Sequence, residues 1–258
     1  MSDSLVQLSQ DARGVARITL CDAQRFNALS SEMLAALQSA LDAVGRDEQA
    51  RVVVLAAEGR AFCAGHNLKD MATHTELDYY RQLFAQCSRM MLSIQKLPVP
   101  VIARVQGIAT AAGCQLVAQC DLAVASSEAR FATSGIQYGL FCATPSVPLV
   151  RNMSLKQSMQ MLLTGEFIDA ETALHYGLLN RVAEPERLDA AVEELVAAIV
   201  SKPRMAIRMG KELVYRQREM GLESAYELAG QTMAINMLDA DAQEGAQAFA
   251  QKRKPGWS

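Results

Sequence analysis

Gly107-Ile-Ala-Thr-Ala-Ala-Gly-Cys-Gln115-Leu116 is a run of small residues between two apolar stretches. Before it, Pro98-Val-Pro-Val-Ile-Ala-Arg-Val105 reads as a buried β-branched strand; after it, Leu116-Val-Ala-Gln-Cys-Asp-Leu-Ala-Val124 reads as a helical turn and a further strand. The run therefore leaves a strand and opens a helix. Small side chains let another group come close to the main chain, and the free N–H groups at a helix start favour negative charge. Two readings follow: a place to hold an oxyanion, or a close helix–strand packing contact.

Upstream, Arg60-Ala-Phe-Cys-Ala-Gly-His-Asn-Leu-Lys-Asp-Met71 follows another apolar strand, Arg51-Val-Val-Val-Leu-Ala-Ala57, and again puts small residues and a glycine where a strand ends. Two main-chain turns can then converge on one atom. Paired N–H donors of this kind stabilise an enolate or a tetrahedral thioester oxyanion, and removing one costs roughly 3–4 kcal/mol.

These residues, with Arg25-Phe-Asn-Ala-Leu29, Cys120-Asp-Leu-Ala-Val-Ala125, Leu163-Thr-Gly-Glu166, Ala173-Leu-His-Tyr-Gly-Leu-Leu-Asn180 and Phe249-Ala-Gln-Lys-Arg-Lys-Pro255, form an ordered set. From about residue 15 onward the chain resembles the enoyl-CoA hydratase/isomerase (crotonase) superfamily. Within it, Gly139-Leu-Phe-Cys-Ala-Thr-Pro145 and the Lys-Arg-Lys-Pro-Gly-Trp-Ser ending resemble the divergent hydratase-domain-containing branch of animal mitochondria.

The resemblance implies an α/β fold, a crotonase-like spiral of repeated β-β-α turns with a helical C-terminal oligomerisation region. The spiral core with the acyl-CoA site is expected at 1–195 and the helical region at 196–258. It implies a backbone oxyanion hole made by the N–H groups of His66 and Ala112. The family's two glutamates, its general acid and base, fall on Gln115 and Gly135. Glutamine can orient a water but cannot carry its proton, and glycine does neither. Standard hydratase activity is therefore expected to be weak or absent. Of the side chains that might substitute, His66 is the strongest, because imidazole titrates near neutrality. Restoring Glu at 115 and 135 together is expected to separate an altered enzyme from a non-catalytic acyl-CoA-binding or regulatory oligomer.

The resemblance also places coenzyme A, as part of the substrate and with no permanently bound cofactor, against Gln24, Arg25, Phe26, Ala64, His66, Asn67, Leu68 and Lys69. Lys252 and Lys254 would reach the nucleotide phosphates from a neighbouring subunit; read alone, Lys252-Arg-Lys254 is a solvated tail. The implied partners are an acyl-CoA thioester of fatty-acid metabolism and copies of the chain, in a homotrimer or a dimer of trimers (hexamer). Among reactions, decarboxylation of a malonyl-type thioester fits the remaining groups better than hydration by a lyase mechanism.

The 258 residues carry a formal net charge of -3, with 50% hydrophobic, 21% charged and 5% aromatic residues. Such a balance argues against a general nucleic-acid or anionic-membrane surface. Met1-Ser-Asp-Ser-Leu-Val has neither the basic flank nor the apolar run of a targeting segment, so a soluble cytoplasmic protein is expected. Six cysteines without Cys-x-x-Cys pairs read as reduced thiols, and three scattered histidines give no metal set. Apolar periodicity predicts helices at 31–44 and 77–95, a strand at 14–20, and long helical segments at 187–201, 203–219 and 222–238. Ser30 and Ser31 before Glu32 supply the cap signal of the first helix.

Overall fold

Val52–Ala57 is buried at all six positions, as expected of a β-branched run covered on both faces of a mostly parallel sheet. The computed structural model describes residues 4–257; Met1, Ser2, Asp3 and Ser258 lie outside the described residues, and with them part of the N-terminal segment and the last letter of the C-terminal motif. The chain starts with β1 (Val6–Gln10), β2 (Val15–Leu20) and α1 (Ser31–Arg46). The first full turn is β3 (Val52–Ala57), β4 (Ala61–Cys63), α2 (Leu68–Thr73) and α3 (Leu77–Lys96). A second turn runs through β5 (Val101–Val105), β6 (Ile108–Thr110) and α4 (Ala112–Gln119). The third is β7 (Leu122–Ser126), β8 (Arg130–Ala132), α5 (Ala143–Asn152) and α6 (Leu155–Thr164). Then follow β9 (Ile168–Asp169), α7 (Ala170–His175), β10 (Arg181–Ala183), α8 (Leu188–Val200), α9 (Arg204–Gln217), α10 (Leu222–Asn236) and α11 (Ala240–Ala250).

The strands form two sheets, in the orders β1-β2-β3-β5-β7-β10 and β4-β6-β8-β9. Among the described residues, only β1 with β2 and β8 with β9 pair antiparallel. Each turn gives its first strand to the larger sheet and its second to the smaller, then adds helix, which is the expected β-β-α spiral. The cap is as read: Ser30 Oγ accepts the Met33 N–H at 3.2 Å, and Met33, Leu34, Leu37 and Leu41 of α1 are buried. The short strands β4, β6, β8 and β9 are invisible to a periodicity reading, because two or three residues cannot show a period of two.

The boundary expected after residue 195 cuts α8, whose Leu188, Val192 and Val196 cover Val52, Val54, Ile102 and Val124 of the larger sheet. Packing changes instead near Pro203, since α9 has no buried residue. One polar knot ties α9 to the core. Lys211 Nζ donates to the carbonyls of Ile94 and Val99 and to Asp121 Oδ2 at 2.6 Å, while the Tyr215 hydroxyl donates to Asp121 Oδ1 at 2.8 Å. Asp121 Oδ2 also accepts the Val101 N–H. Further out, Leu222, Tyr226, Met233, Leu238 and Phe249 leave broad apolar area exposed on α10, α11 and their connection. All six cysteines are free thiols; burial pushes those of Cys63, Cys87 and Cys114 up to about 12. No helix among the described residues is long and apolar enough to cross a membrane.

Candidate functional site

Three adjacent parallel strands of the smaller sheet end at one cavity: β4 runs into Ala64-Gly65-His66, β6 into Ala111-Ala112, and β8 into Thr133-Ser134-Gly135. Carboxyl ends of parallel strands are where open α/β sheets hold ligands. The first two turns touch. Gly65 has φ +85°, and a Cβ there would lie 3.0 Å from the Ala112 nitrogen and 2.9 Å from the Ala111 Cβ. Gly113 lets α4 rest directly on β4, for a Cβ at that position would sit 2.0 Å from the Cys63 carbonyl oxygen. The small-residue run thus serves both readings of the sequence, close packing and exposed main chain. Among the described residues neither the His66 nor the Ala112 N–H has an acceptor, and that of Ala112 opens a helix whose first N–H groups have no intrahelical partner.

Strain is stored next to this contact. Ala111, the cap residue of α4, has φ 50° and ψ -120°, a region hostile to a residue with a Cβ and costing about 1–3 kcal/mol. Ala112, at the position where the family was expected to have glycine, lies inside the helix. Ala111→Gly relieves the strain while losing part of it to unfolded-chain entropy. We expect a net gain of about 1 kcal/mol, a rise of roughly 2–4 °C in melting temperature; an unchanged or lower transition by calorimetry refutes this account.

The cavity offers about 150 Å³ of space, walled by Leu68, Met71, Phe84, Leu140 and Phe141 among apolar groups and by Ser134, Tyr138, Cys142 and Thr144 among polar ones. Among the described residues no charged side chain lines it. Ser134 Oγ lies 2.7 Å from Thr110 Oγ1, which ties the β8 exit to β6. His66 is fixed by its ring: Nδ1 lies 3.0 Å from the Leu29 carbonyl oxygen, and the ring meets Phe84 edge-on, centroids 5.5 Å apart. A carbonyl only accepts, so Nδ1 carries the hydrogen and Nε2 of the neutral ring carries a lone pair. Nε2 is buried with no hydrogen-bond partner among the described residues. Burial, opposed by the Leu29 hydrogen bond, holds the imidazole pKa below its ordinary 6.5.

The two positions where the resemblance places glutamates differ. Gly135 walls the cavity, but a Cβ there would meet the Leu140 carbonyl oxygen at 2.6 Å and Cys142 Sγ at 2.9 Å. Restoring a glutamate at 135, which the sequence offered as a rescue, has no room in this loop. Gln115 is buried at 4% exposure on α4, its Oε1 has no partner among the described residues, and it is not part of the cavity wall.

The nucleotide-binding residues inferred from the sequence fall mostly together. Ala64 N–H donates to the Phe26 carbonyl at 3.0 Å and Leu29 N–H to the Gly65 carbonyl at 2.8 Å, so the Gln24-Arg25-Phe26 turn lies beside the Ala64-Gly65-His66 turn. Asn27 holds it there: its carboxamide accepts the Asp22 N–H and donates to the carbonyls of Glu58 and Ala61. Both Phe26 and Asn27 have left-handed backbone, φ 54° and 53°. Asn67 is spent on structure, capping α2 by accepting the Lys69 N–H and donating to Asp70. Leu68 and Lys69 are exposed beside it. Sequence reasoning missed Arg60, whose guanidinium stacks 4.6 Å over the Phe26 ring; an arginine next to a glycine-containing turn carries no local signal of that stacking. Lys252 and Lys254 stand exposed after α11 and form no part of this cavity wall.

A family model described as enoyl-CoA hydratase/isomerase matches residues 10–258. A Xenopus laevis protein named enoyl-CoA hydratase domain-containing protein 3, mitochondrial, is 43% identical over 96% of this chain and 85% of its own. Among solved structures, an enoyl-CoA hydratase of Mycobacterium smegmatis superposes with a TM-score of 0.97 at 57% identity, covering 98% of each chain. The human enoyl-CoA hydratase domain-containing protein 3 superposes with a TM-score of 0.94 at 42% identity, covering 98% of this chain and all of that one. The Xenopus, mouse, human and zebrafish relatives are all named mitochondrial. That finding overturns the cytoplasmic location expected from the N-terminal letters.

Proposed function

Because this chain belongs to the enoyl-CoA hydratase/isomerase family, we propose that its cavity binds an acyl-CoA thioester and polarises the thioester carbonyl through the N–H groups of His66 and Ala112. The observation that carries this reading is the contact between the two turns, with Gly65 pressed against the Ala112 nitrogen. A carbonyl oxygen seated there gains negative charge as an enolate forms, and preorganised donors favour that charge most in a water-poor site. The apolar wall receives the acyl chain. Gln24, Arg25, Phe26, Ala64, Leu68 and Lys69 take the coenzyme A end, with Arg60 added as a further cation for phosphate. Lys252 and Lys254 reach a phosphate from a neighbouring subunit in a trimer or dimer of trimers. The exposed apolar surface of α10 and α11 supports such an assembly.

Hydration does not fit the groups present. A positioned acid or base is worth roughly 100- to 10,000-fold in rate, and neither Gln115 nor Gly135 supplies one. With purified protein and crotonyl-CoA, loss of the conjugated thioester absorbance is expected to be at least about 100-fold slower than with a glutamate-bearing relative, while crotonyl-CoA still binds in competition with coenzyme A. Gly135→Glu, alone or with Gln115→Glu, is expected not to restore the rate, since Leu140 and Cys142 fill the space. Wild-type hydration within tenfold of the relative overturns the reading of the site as one without a carboxylate pair.

A further inference from the structure

We propose that Asn27 is a positioning residue of the acyl-CoA site. Its carboxamide fixes residues 26–29 against Ala64-Gly65-His66, so the turn offered to coenzyme A and the His66 N–H offered to the thioester oxygen are held as one unit. The inference rests on the acyl-CoA reading above. It adds a side chain outside the cavity wall and outside the set that the resemblance places against coenzyme A.

Asn27 is fully buried, and its oxygen and both amide hydrogens are engaged. Oδ1 accepts the Asp22 N–H, and Nδ2 donates to the carbonyls of Glu58 and Ala61, all three at 2.9 Å. One side chain thereby joins the turn before α1 to the turn between β3 and β4. From Ala61 the chain runs through only Phe62 and Cys63 before it reaches Ala64. There the backbones pair. Ala64 N–H donates to the Phe26 carbonyl, Leu29 N–H donates to the Gly65 carbonyl, and the His66 ring closes the ladder on the Leu29 carbonyl. Gly65 in turn lies against the Ala112 nitrogen. Contacts therefore run unbroken from Asn27 to both of the N–H groups proposed to hold the thioester oxygen.

The backbone supplies a second observation. Phe26 and Asn27 are consecutive left-handed residues, φ 54° and 53°. A Cβ disfavours that region, least so in asparagine, whose short polar side chain bonds to nearby backbone. Such conformations persist where the surroundings over-determine them. Here the surroundings are the three carboxamide bonds and the Asn27 N–H, which donates to the Asp22 carbonyl at 2.8 Å. The left-handed pair brings the Phe26 carbonyl to Ala64 while its ring lies under the Arg60 guanidinium. Without the carboxamide, the Asp22 N–H loses its acceptor and the Glu58 carbonyl loses a donor. A buried polar network holds a single geometry only while its members are satisfied.

The test reads the polarisation of butyryl-CoA with an isotope-labelled carbonyl, by infrared spectroscopy on the full chain. In wild type the bound carbonyl band is expected below that of the free thioester, the signature of hydrogen-bond donors on its oxygen. Asn27→Gly keeps the left-handed backbone open and removes the carboxamide. It is expected to lose at least about half of that shift and to bind butyryl-CoA about 10-fold more weakly. Asn27→Asp, which keeps the acceptor for the Asp22 N–H, is expected to fall between the two. A part in stability alone would lower the melting transition and leave the bound band where wild type has it; that result in either variant overturns the proposal. Hydrogen exchange in wild type checks the unit without a substitution. The amides of Asn27, Leu29 and Ala64 are expected to open together with common protection, and independent exchange of Ala64 overturns the proposal. Failure of wild type to bind butyryl-CoA, or a bound band at the free position, overturns the acyl-CoA reading and, with it, this role for Asn27.

Discussion

Asp121→Ala is expected to remove roughly 3–5 kcal/mol of stability, the cost of breaking a buried ion pair by deleting one partner. Lys211 and Asp121 are only 7% and 15% exposed, with Nζ and Oδ2 2.6 Å apart. Burial pushes the Lys211 ammonium pKa down, and Asp121 opposes that shift. Without the carboxylate, the buried ammonium keeps two carbonyls but no counter-charge, the Tyr215 hydroxyl loses its acceptor, and the Val101 N–H at the start of β5 is left unpaired. The melting transition should fall by roughly 6–20 °C, taking about 2–4 °C per kcal/mol for a chain of this size. Tyr215→Phe, which removes one hydrogen bond to the same carboxylate, should cost only about 1 kcal/mol. If Asp121→Ala melts within 2 °C of wild type, α9 is not held by this knot.

Gly113→Ala should damage structure and binding together. The added methyl would sit 2.0 Å from the Cys63 carbonyl oxygen and 2.7 Å from its carbon, and backbone atoms cannot swing aside as a flexible side chain can. Relief requires α4 to lift off β4, which draws the Ala112 nitrogen away from Gly65 and opens the proposed donor pair. Overpacking typically costs 1–3 kcal/mol, and this clash belongs at or above about 3 kcal/mol. Loss of one oxyanion donor is worth roughly 100- to 1,000-fold in turnover. The measurements are thermal melting and butyryl-CoA affinity, with Gly210→Ala as the contrast. Gly210 lies in α9 with nothing within 4 Å of an added Cβ, so that change should be neutral or stabilising by up to about 1 kcal/mol. A Gly113→Ala protein with wild-type melting and affinity would show that the contact between α4 and β4 is not needed to set the proposed oxyanion hole.

The sequence by itself determined the local elements and the family. The alternation of apolar runs with capped helical stripes encodes α1, β3, α3, β5, α8, α9 and α10 within windows of a few residues, because backbone preference and side-chain period act between near neighbours. The two glycine-bearing turns were legible for the same reason. So was the absence of a carboxylate at 115 and 135, which is a matter of residue type alone. What the tertiary structure decided are the relations between residues far apart in the chain. His66 gains a defined tautomer and a free Nε2 only through Leu29, 37 residues away. Lys211 meets Asp121 across 90 positions. Gly135 looks like an empty place for a glutamate until Leu140 and Cys142 fold across it. The strain at Ala111 exists because β6 and α4 are both fixed by packing elsewhere. Close packing makes each of these contacts depend on atoms brought together by the whole fold, and no pattern of neighbouring letters records which distant groups those will be.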